Sequence, residues 1–280
     1  MIMKIGYLGP EGTYCEQAAQ KYGIDEPGNL IPYSNIELVF AAVQTGETDI
    51  GIVPIENSCE GAVNLTLDLL AYEYDLKIVG EVVIKIRHHL LARPGWSKEQ
   101  VRTVFSHPQA LAQCRKYLSQ NFSGVELREV SSTARAAQLI AANPDQPWAA
   151  LATKNAARVY GLDILDENTN DLDTNETRFI ALGQNAAICL QNCKTSLLFS
   201  VINRPGALFD VLREFADQNI NLTKIESRPA KTKIGDYMFF IDIEGSLAEE
   251  RIQKALEQIK SSTQEILILG SYPTYRSFDA

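Results

Sequence analysis

Histidine, cysteine and basic residues are all scarce in this chain of 280 residues, and each shortage removes a class of function. The 3 histidines are His88, His89 and His107, and none continues a zinc-like spacing from Cys189 and Cys193. A bound metal is therefore not expected. The 5 cysteines (Cys15, Cys59, Cys114, Cys189, Cys193) are odd in number and form no compact framework, so reduced thiols are expected. Lys and Arg total 26 against 35 Asp and Glu, a net charge of −9, and no basic stripe relieves that field; nucleic acid is a poor partner. The longest apolar stretches, such as Ile50 to Ile55, fall far short of the roughly 18 residues that span a bilayer, so no membrane partner is expected either. Met1 to Gly9 reads as a strand running into a glycine turn. It lacks the apolar length and cleavage site of a secretory signal, which places the chain in the cytoplasm. Repeats and low-complexity segments are absent.

What remains is a composition 45% hydrophobic and 22% charged, sufficient for one large domain or two modest ones. Residues 1–184 hold 15 Lys and Arg against 23 Asp and Glu, and residues 185–280 hold 11 against 12, so the acidity lies in the first part. That part alternates β-branched runs with amphipathic stretches, the pattern of an α/β domain with largely parallel strands. Strands are predicted at 4–8, 30–33, 50–53, 79–86, 103–105, 125–130 and 149–152. Helices are predicted at 15–22, 36–44, 109–119, 133–142 and 154–160, several preceded by a Ser, Thr or Asn able to cap them. The pattern lapses over a linker at 185–194. Residues 195–275 then read βαββαβ, a ferredoxin-like unit with an antiparallel sheet and two helices on one face, the last strand at 265–269. Residues 276–280 are a tail.

Four clusters could carry chemistry. Gly6-Tyr-Leu-Gly9-Pro-Glu-Gly12-Thr13 follows a strand and opens a helix, but its G-x-x-G-x-x-G spacing is not the dinucleotide fingerprint, so no NAD site is expected. It reads as a turn presenting N–H groups and Thr13 to an anionic or hydroxylated ligand; a plain turn satisfies the same residues. Val53-Pro-Ile-Glu56-Asn57-Ser58-Cys-Glu60-Gly61 delivers polar residues at the C-terminal edge of a strand, a favoured ligand position. Ser106-His107-Pro-Gln109 repeats that architecture with Pro at the helix start. In Asn175-Glu-Thr177-Arg178-Phe179, Arg178 is a fork-shaped donor suited to a carboxylate, and Thr177 a hydroxyl too weakly acidic to be a strong acid.

Together with Ser132-Thr133-Ala134, these clusters resemble the motifs of prephenate dehydratase at matching separations across essentially the whole chain. Residues 195–275 resemble an ACT domain through Gly206-Ala207-Leu208 and Glu226-Ser227-Arg228-Pro229, the family's phenylalanine-binding signatures. The resemblance implies a catalytic domain of two α/β lobes like a type II periplasmic binding protein, its site in the cleft between them, with no fused chorismate mutase ahead of it. Three positions depart from the family pattern: Cys15 stands where Ser is common, Phe209 where Val is usual, and Thr169 where an aliphatic residue is.

By that resemblance the reaction is decarboxylative dehydration of prephenate to phenylpyruvate, without a cofactor, in phenylalanine biosynthesis. Thr177 is the essential hydroxyl and Glu56 the rival proton source if burial raises its pKa. Substrate contacts are expected from Thr13, Asn57, Ser58, Gly61, Ser106, Gln109, Ser132, Thr133, Arg178 and Phe179. Feedback by L-phenylalanine is expected at a subunit contact of the C-terminal domain, in at least a homodimer and by resemblance a dimer of dimers. A catalytic domain stopped near Gln184 should keep some activity. Arogenate dehydratase is the alternative, and a non-enzymatic amino acid sensor a remote one.

Overall fold

In the computed structural model, residues 2–23, 28–231 and 236–275 are described; the expected tail at 276–280 lies outside them. The elements run β1 (Lys4–Leu8), α1 (Tyr14–Tyr22), β2 (Asn29–Tyr33), α2 (Ile36–Gln44), β3 (Ile50–Asn57), β4 (Gly61–Ala62), α3 (Asn64–Tyr72), β5 (Lys77–Lys85), β6 (His89–Ala92), β7 (Thr103–Ser106), α4 (Pro108–Gln113), α5 (Arg115–Asn121) and β8 (Glu126–Glu129). They continue α6 (Thr133–Ala141), β9 (Trp148–Ala152), α7 (Lys154–Tyr160), β10 (Asp163–Asp166), β11 (Glu176–Gly183), β12 (Cys193–Val201), α8 (Ala207–Asp217), β13 (Leu222–Pro229), β14 (Tyr237–Glu244), α9 (Glu250–Ile259) and β15 (Thr263–Tyr275). Helix starts follow the expected caps: Thr13, Asn35, Ser132 and Thr153 accept from Glu16, Leu38, Arg135 and Ala156 N–H groups. The single helix expected at 109–119 is two, broken at Cys114, because the Asp171 carboxylate reaches in from a distant loop to accept from Lys116 and Tyr117 N–H and starts a second helix.

Two sheets divide the catalytic part into lobes. The larger runs β13-β14-β12-β15-β5-β11-β3-β1-β2, with β4 paired to β3, and the smaller runs β10-β6-β9-β7-β8. The strands are mixed rather than largely parallel. The chain crosses between lobes after β5 and again before β11, and the strands it enters run antiparallel to their neighbours, β6 to β9 and β10, β11 to β3 and β5. The lobes are clasped at residues 11–16: Thr153 Oγ1 donates to the Gly12 carbonyl at 2.7 Å, Tyr160 to that of Glu11 at 2.8 Å and Asn155 to Glu16 at 2.8 Å. Gly12 has φ +88, and a Cβ there would lie 3.0 Å from the Ala156 Cα, so both conformation and space demand glycine.

The C-terminal unit has the expected order βαββαβ, with α8 and α9 covering one face around Phe199, Phe215 and Ile241. Its other face is not free. Leu198, Met238, Phe240 and Tyr272 join Leu69, Leu70 and Ile78 of the first lobe in one core. Strand β15 does not stop near Leu269 but runs to Tyr275, where it pairs in parallel with β5 at Glu81 and Val82. The two units expected on either side of the linker thus share a sheet. Within that linker, Cys189 and Cys193, expected as thiols, are joined in a disulfide; the turn between them brings their Cα atoms within 5.9 Å. Among the described residues, no group of three or more His, Cys, Asp or Glu side chains could hold a metal ion, and no helix is long and apolar enough to cross a membrane.

Candidate active site

A cavity of about 160 Å³ opens between the lobes, lined by Tyr14, Asn57, Ile86, His88, His107, Gln109, Ala110, Gln113, Thr133, Asn175 and Thr177. Its wall is the C-terminal end of β3, the start of β11, the crossing after β5, and the first turns of α4 and α6. Strand ends and helix starts meeting in one crevice are where open α/β sheets bind ligands.

The hydrogen bonds fix the direction of each group. Thr177 and Asn57 are register partners across β11 and β3, and Asn57 Nδ2 donates to Thr177 Oγ1 at 2.8 Å. Asn57 cannot turn over, because its Oδ1 accepts from the Cys59 and Glu60 N–H groups at 2.9 and 3.1 Å. With its oxygen accepting from an amide, Thr177 keeps its own proton for another acceptor. Gln113 Oε1 accepts from Asn175 Nδ2 at 2.8 Å and lies 3.1 Å from His88 Nε2. His88 therefore carries its proton on Nε2 and leaves Nδ1 a bare acceptor. His88 Nδ1 and Gln113 Nε2 are buried without a partner among the described residues, polar atoms that a ligand or water must satisfy. Burial pushes the His88 pKa down to about 4, so its imidazole is neutral at pH 7. Thr169, a departure from the family pattern, holds it there: both its N–H and its hydroxyl donate to the His88 carbonyl, at 2.8 and 3.0 Å. Among the described residues, no Asp, Glu, Lys or Arg lines this cavity.

Of the expected site residues, Asn57, Gln109, Thr133 and Thr177 meet here. The others are elsewhere. Thr13 caps α1, accepting from Glu16 N–H and donating to the Leu8 carbonyl. Ser58 braces its loop against Thr174 and Glu176, and Gly61, exposed and at φ +82, opens β4 opposite Asn57. Ser106 is wholly buried and donates to the Leu151 carbonyl, while Phe179 packs in the core of the first lobe. Ser132 caps α6 and opens with Arg135, Tyr33 and Tyr160 on a second interlobe cavity of about 620 Å³. Cys15 is buried and its thiol is pushed up to about 12, so it offers no contact.

Glu56 and Arg178 are corrections with a common cause. A strand alternates its faces, so the neighbours of Asn57 and Thr177 point the other way. Arg178 is buried against the C-terminal sheet, donating to Glu81 at 2.6 Å, to Asp242, and to the Tyr272 hydroxyl at 2.8 Å. Glu56 pairs with Lys224 at 2.9 Å. Neither lines the cavity. Conversely, His88, Gln113, Asn175 and Tyr14 line it without having been expected. The run of polar residues following the expected 79–86 strand was the available signal for His88, and Asn175 adjoined the Thr177 cluster.

In the C-terminal unit a third cavity, about 300 Å³, is lined by Gly206, Ala207, Leu208, Phe209, Arg204, Tyr237 and neighbours. Glu226, Ser227, Arg228 and Pro229 do not line it in the single chain: Arg228 instead donates to Asp68 and Asn64 of α3.

Comparison with known proteins matches residues 5–187 to a family described as prephenate dehydratase and residues 195–261 to the ACT domain. The chain is 42% identical to the prephenate dehydratase of Methanocaldococcus jannaschii, covering 96% of this chain and 97% of that one. It is 45% identical to the bifunctional chorismate mutase/prephenate dehydratase of Aquifex aeolicus, covering 97% and 74%. Among solved structures it resembles the Arthrobacter aurescens prephenate dehydratase in complex with L-Phe, with a TM-score of 0.87, 33% identity and coverage of 97% and 90%. Two other relatives carry different names. The chloroplastic arogenate dehydratase 3 of Arabidopsis thaliana is 40% identical over 97% of this chain and 67% of that one. GqqA, described as a quorum quenching acylase, has a TM-score of 0.88 at 30% identity, covering 97% and 98%.

Proposed function

We infer, because the chain belongs to the prephenate dehydratase family, that it converts prephenate to phenylpyruvate, carbon dioxide and water under feedback control by L-phenylalanine. The observation that carries this reading is a neutral interlobe cavity in which a free hydroxyl proton, that of Thr177, is held ready by Asn57. In the reaction the ring carboxylate departs as CO₂ and its electron pair runs through the diene to expel the C4 oxygen. Negative charge leaves the carboxylate and appears on that oxygen. A donor aimed at the oxygen stabilises the transition state more than the ground state, whereas a cation on the departing carboxylate would hold the ground state. Thr177 is suited to the first task. Gln109, Gln113 and the first turn of α6 at Thr133 offer the neutral donors that orient the substrate, and the bare His88 Nδ1 is an acceptor for its hydroxyl.

Acyl transfer by the same site is disfavoured, because Thr177 accepts from an amide instead of donating to a base and is not set up as a nucleophile. Arogenate dehydration remains the second reading, favoured by the Arabidopsis relative. Turnover of the purified protein with prephenate and with arogenate tests both: faster prephenate consumption with release of phenylpyruvate is expected, and preference for arogenate would replace the substrate.

For regulation, phenylalanine occupies the cavity at Gly206-Ala207-Leu208, where N–H groups at the start of α8 meet its carboxylate. Glu226 to Pro229 lie on β13, the edge strand of the sheet, so they complete a site only when a second copy brings its β13 alongside. The cytoplasm and a dimer of dimers belong to the same reading, with residues 1–184 catalytic and 195–275 regulatory.

A further inference from the structure

The back of the catalytic strands is a buried ion cluster that the proposed chemistry does not use. Across β11 and β3, Thr177 pairs with Asn57, and the next pair, Arg178 with Glu56, faces the C-terminal sheet. Immediately beyond, the register slips between Arg178 and Phe179, leaving Pro54 opposite Phe179. The active pair therefore sits one residue pair from a bulge, a feature that re-aims side chains, and Arg178 and Glu56 are the pair that borders it.

Six charges meet behind it. Arg178 holds Glu81 and Asp242, with Glu56 3.7 Å away; Lys194 holds Glu81 at 2.7 Å; Lys224 holds Glu56 at 2.9 Å. Ser196 and the Tyr272 hydroxyl close the cluster around Asp242, 2.6 Å from one another. The side chains of Arg178, Glu81, Lys224 and Asp242 are all less than a tenth exposed. Glu56, Glu81 and Arg178 come from the first lobe and sum to −1; Lys194, Lys224 and Asp242 come from the C-terminal unit and sum to +1. Only the docked arrangement is neutral. Although burial alone would lower it, Tyr272, Asp242 and Glu81 together hold the Arg178 pKa above its ordinary value, so the guanidinium stays charged.

Such a cluster tolerates little displacement, since a buried charge that loses one partner is strongly destabilising. If the C-terminal sheet moves, the buried guanidinium must follow and moves the strand that carries Thr177; the half-buried Glu56, held by Lys224 at 2.9 Å, draws the Asn57 strand more loosely. Lys224 adds direction, for it lies on β13, the strand that also bears Glu226 to Pro229.

We propose that Arg178 and Glu56 are positioning residues for Thr177 and Asn57, and that the buried cluster tying them to Lys224 and Asp242 transmits the ligand state of the C-terminal domain to the cleft. This rests on the dehydratase reading and on phenylalanine as the effector. It assigns Arg178 to the aim of the Thr177 hydroxyl and not to a substrate carboxylate.

The test uses the full chain with Lys224→Met, Asp242→Asn and Arg178→Lys, each checked for folding by thermal melting, with prephenate kinetics and calorimetric titration of phenylalanine. In Lys224→Met and Asp242→Asn, kcat falls about tenfold or more while KM and phenylalanine affinity stay within about threefold, because the hydroxyl is misaimed but neither binding site is touched. Saturating phenylalanine then changes the remaining activity less than twofold. A cluster that only glues the domains would lower the melting temperature and leave kcat and inhibition at wild-type values; a folded variant with that behaviour overturns the proposal. Should Asp242→Asn not fold, Lys224→Met and the charge-conserving Arg178→Lys decide on the same criteria. Wild-type protein that neither turns over prephenate nor responds to phenylalanine would overturn the underlying reading, and this coupling with it.

Discussion

Asn57 holds Thr177 by one hydrogen bond, Nδ2 to Oγ1 at 2.8 Å, and that bond determines where the threonine proton can go. Thr177→Ala should lower kcat at least about a hundredfold without unfolding the protein, as expected for a donor engaged chiefly in the transition state. Asn57→Asp tests direction separately from presence. It leaves the hydroxyl in place but removes the amide donor and supplies an acceptor that captures the Thr177 proton. Its kcat should fall nearly as far as in Thr177→Ala. Retention of more than about half of kcat in Thr177→Ala would remove that residue from the mechanism.

His88 gives the fold an acid-sensitive element. Burial depresses its pKa to about 4 in the folded protein, against about 6.5 in the unfolded chain. Between those values the unfolded chain binds a proton that the folded protein refuses, so stability rises with pH across the window and is lost as pH falls from 6.5 towards 4. The contribution is at most about 3 kcal/mol, the free-energy equivalent of the shift. Melting temperatures of wild type and His88→Gln from pH 4.5 to 7.5 should converge at the acid end, because the variant lacks this proton uptake. Parallel curves would show that His88 titrates normally.

Most of the catalytic lobes was legible because capped helices and β-branched runs are local signals. The two tight clusters at Asn57 and Thr177 were legible because polar residues at strand ends need a reason. What the sequence could not reveal was which face of a strand each residue takes. Glu56 and Arg178 look as available as their neighbours in the chain, but alternation sends them to the opposite side of the sheet, where Asp242 and Lys224 wait from far along the chain. The length of β15 was hidden for a related reason. Beyond Leu269 the chain reads Gly-Ser-Tyr-Pro-Thr-Tyr, poor in strand signal, and becomes strand because β12 pairs it as far as Pro273 and β5 takes up Thr274 and Tyr275.

That shared sheet reverses the expectation for a chain stopped near Gln184. Truncation would strip β15 from β5, uncover the core around Ile78, and leave Glu56, Glu81 and Arg178 without Lys194, Lys224 and Asp242. Such a fragment should melt without a cooperative transition and show less than about a hundredth of full-length activity, since a core face opened to water and a lost sheet neighbour act together. A milder version is Gly270→Ala. A Cβ at Gly270 would lie 2.1 Å from the Ile78 carbonyl oxygen, an overlap no rotamer relieves. The variant should lose roughly 3 kcal/mol or more of stability in urea unfolding, or undock β15. A stable, active fragment would show that the first 184 residues fold independently.

Gly206 tests the regulatory cavity. It is the N-cap of α8 with φ +81 and ψ −4, and a Cβ there would meet nothing within 4 Å, so its requirement is conformational rather than steric. A β-branched residue resists the left-handed region, so Gly206→Val should re-aim the first N–H groups of α8 and weaken calorimetric binding of L-phenylalanine at least about tenfold. Arg228→Ala should behave differently. Its guanidinium is engaged with Asp68 and Asn64, not with the cavity, so removing it loosens the docking of α3 before it touches the ligand. Sedimentation of both variants beside wild type separates the causes. If a second copy completes the site, wild type is at least dimeric and phenylalanine tightens the association. A strictly monomeric protein that binds phenylalanine with undiminished affinity would leave Glu226 to Pro229 without a part in the site, and unaltered binding in Gly206→Val would move the site away from α8.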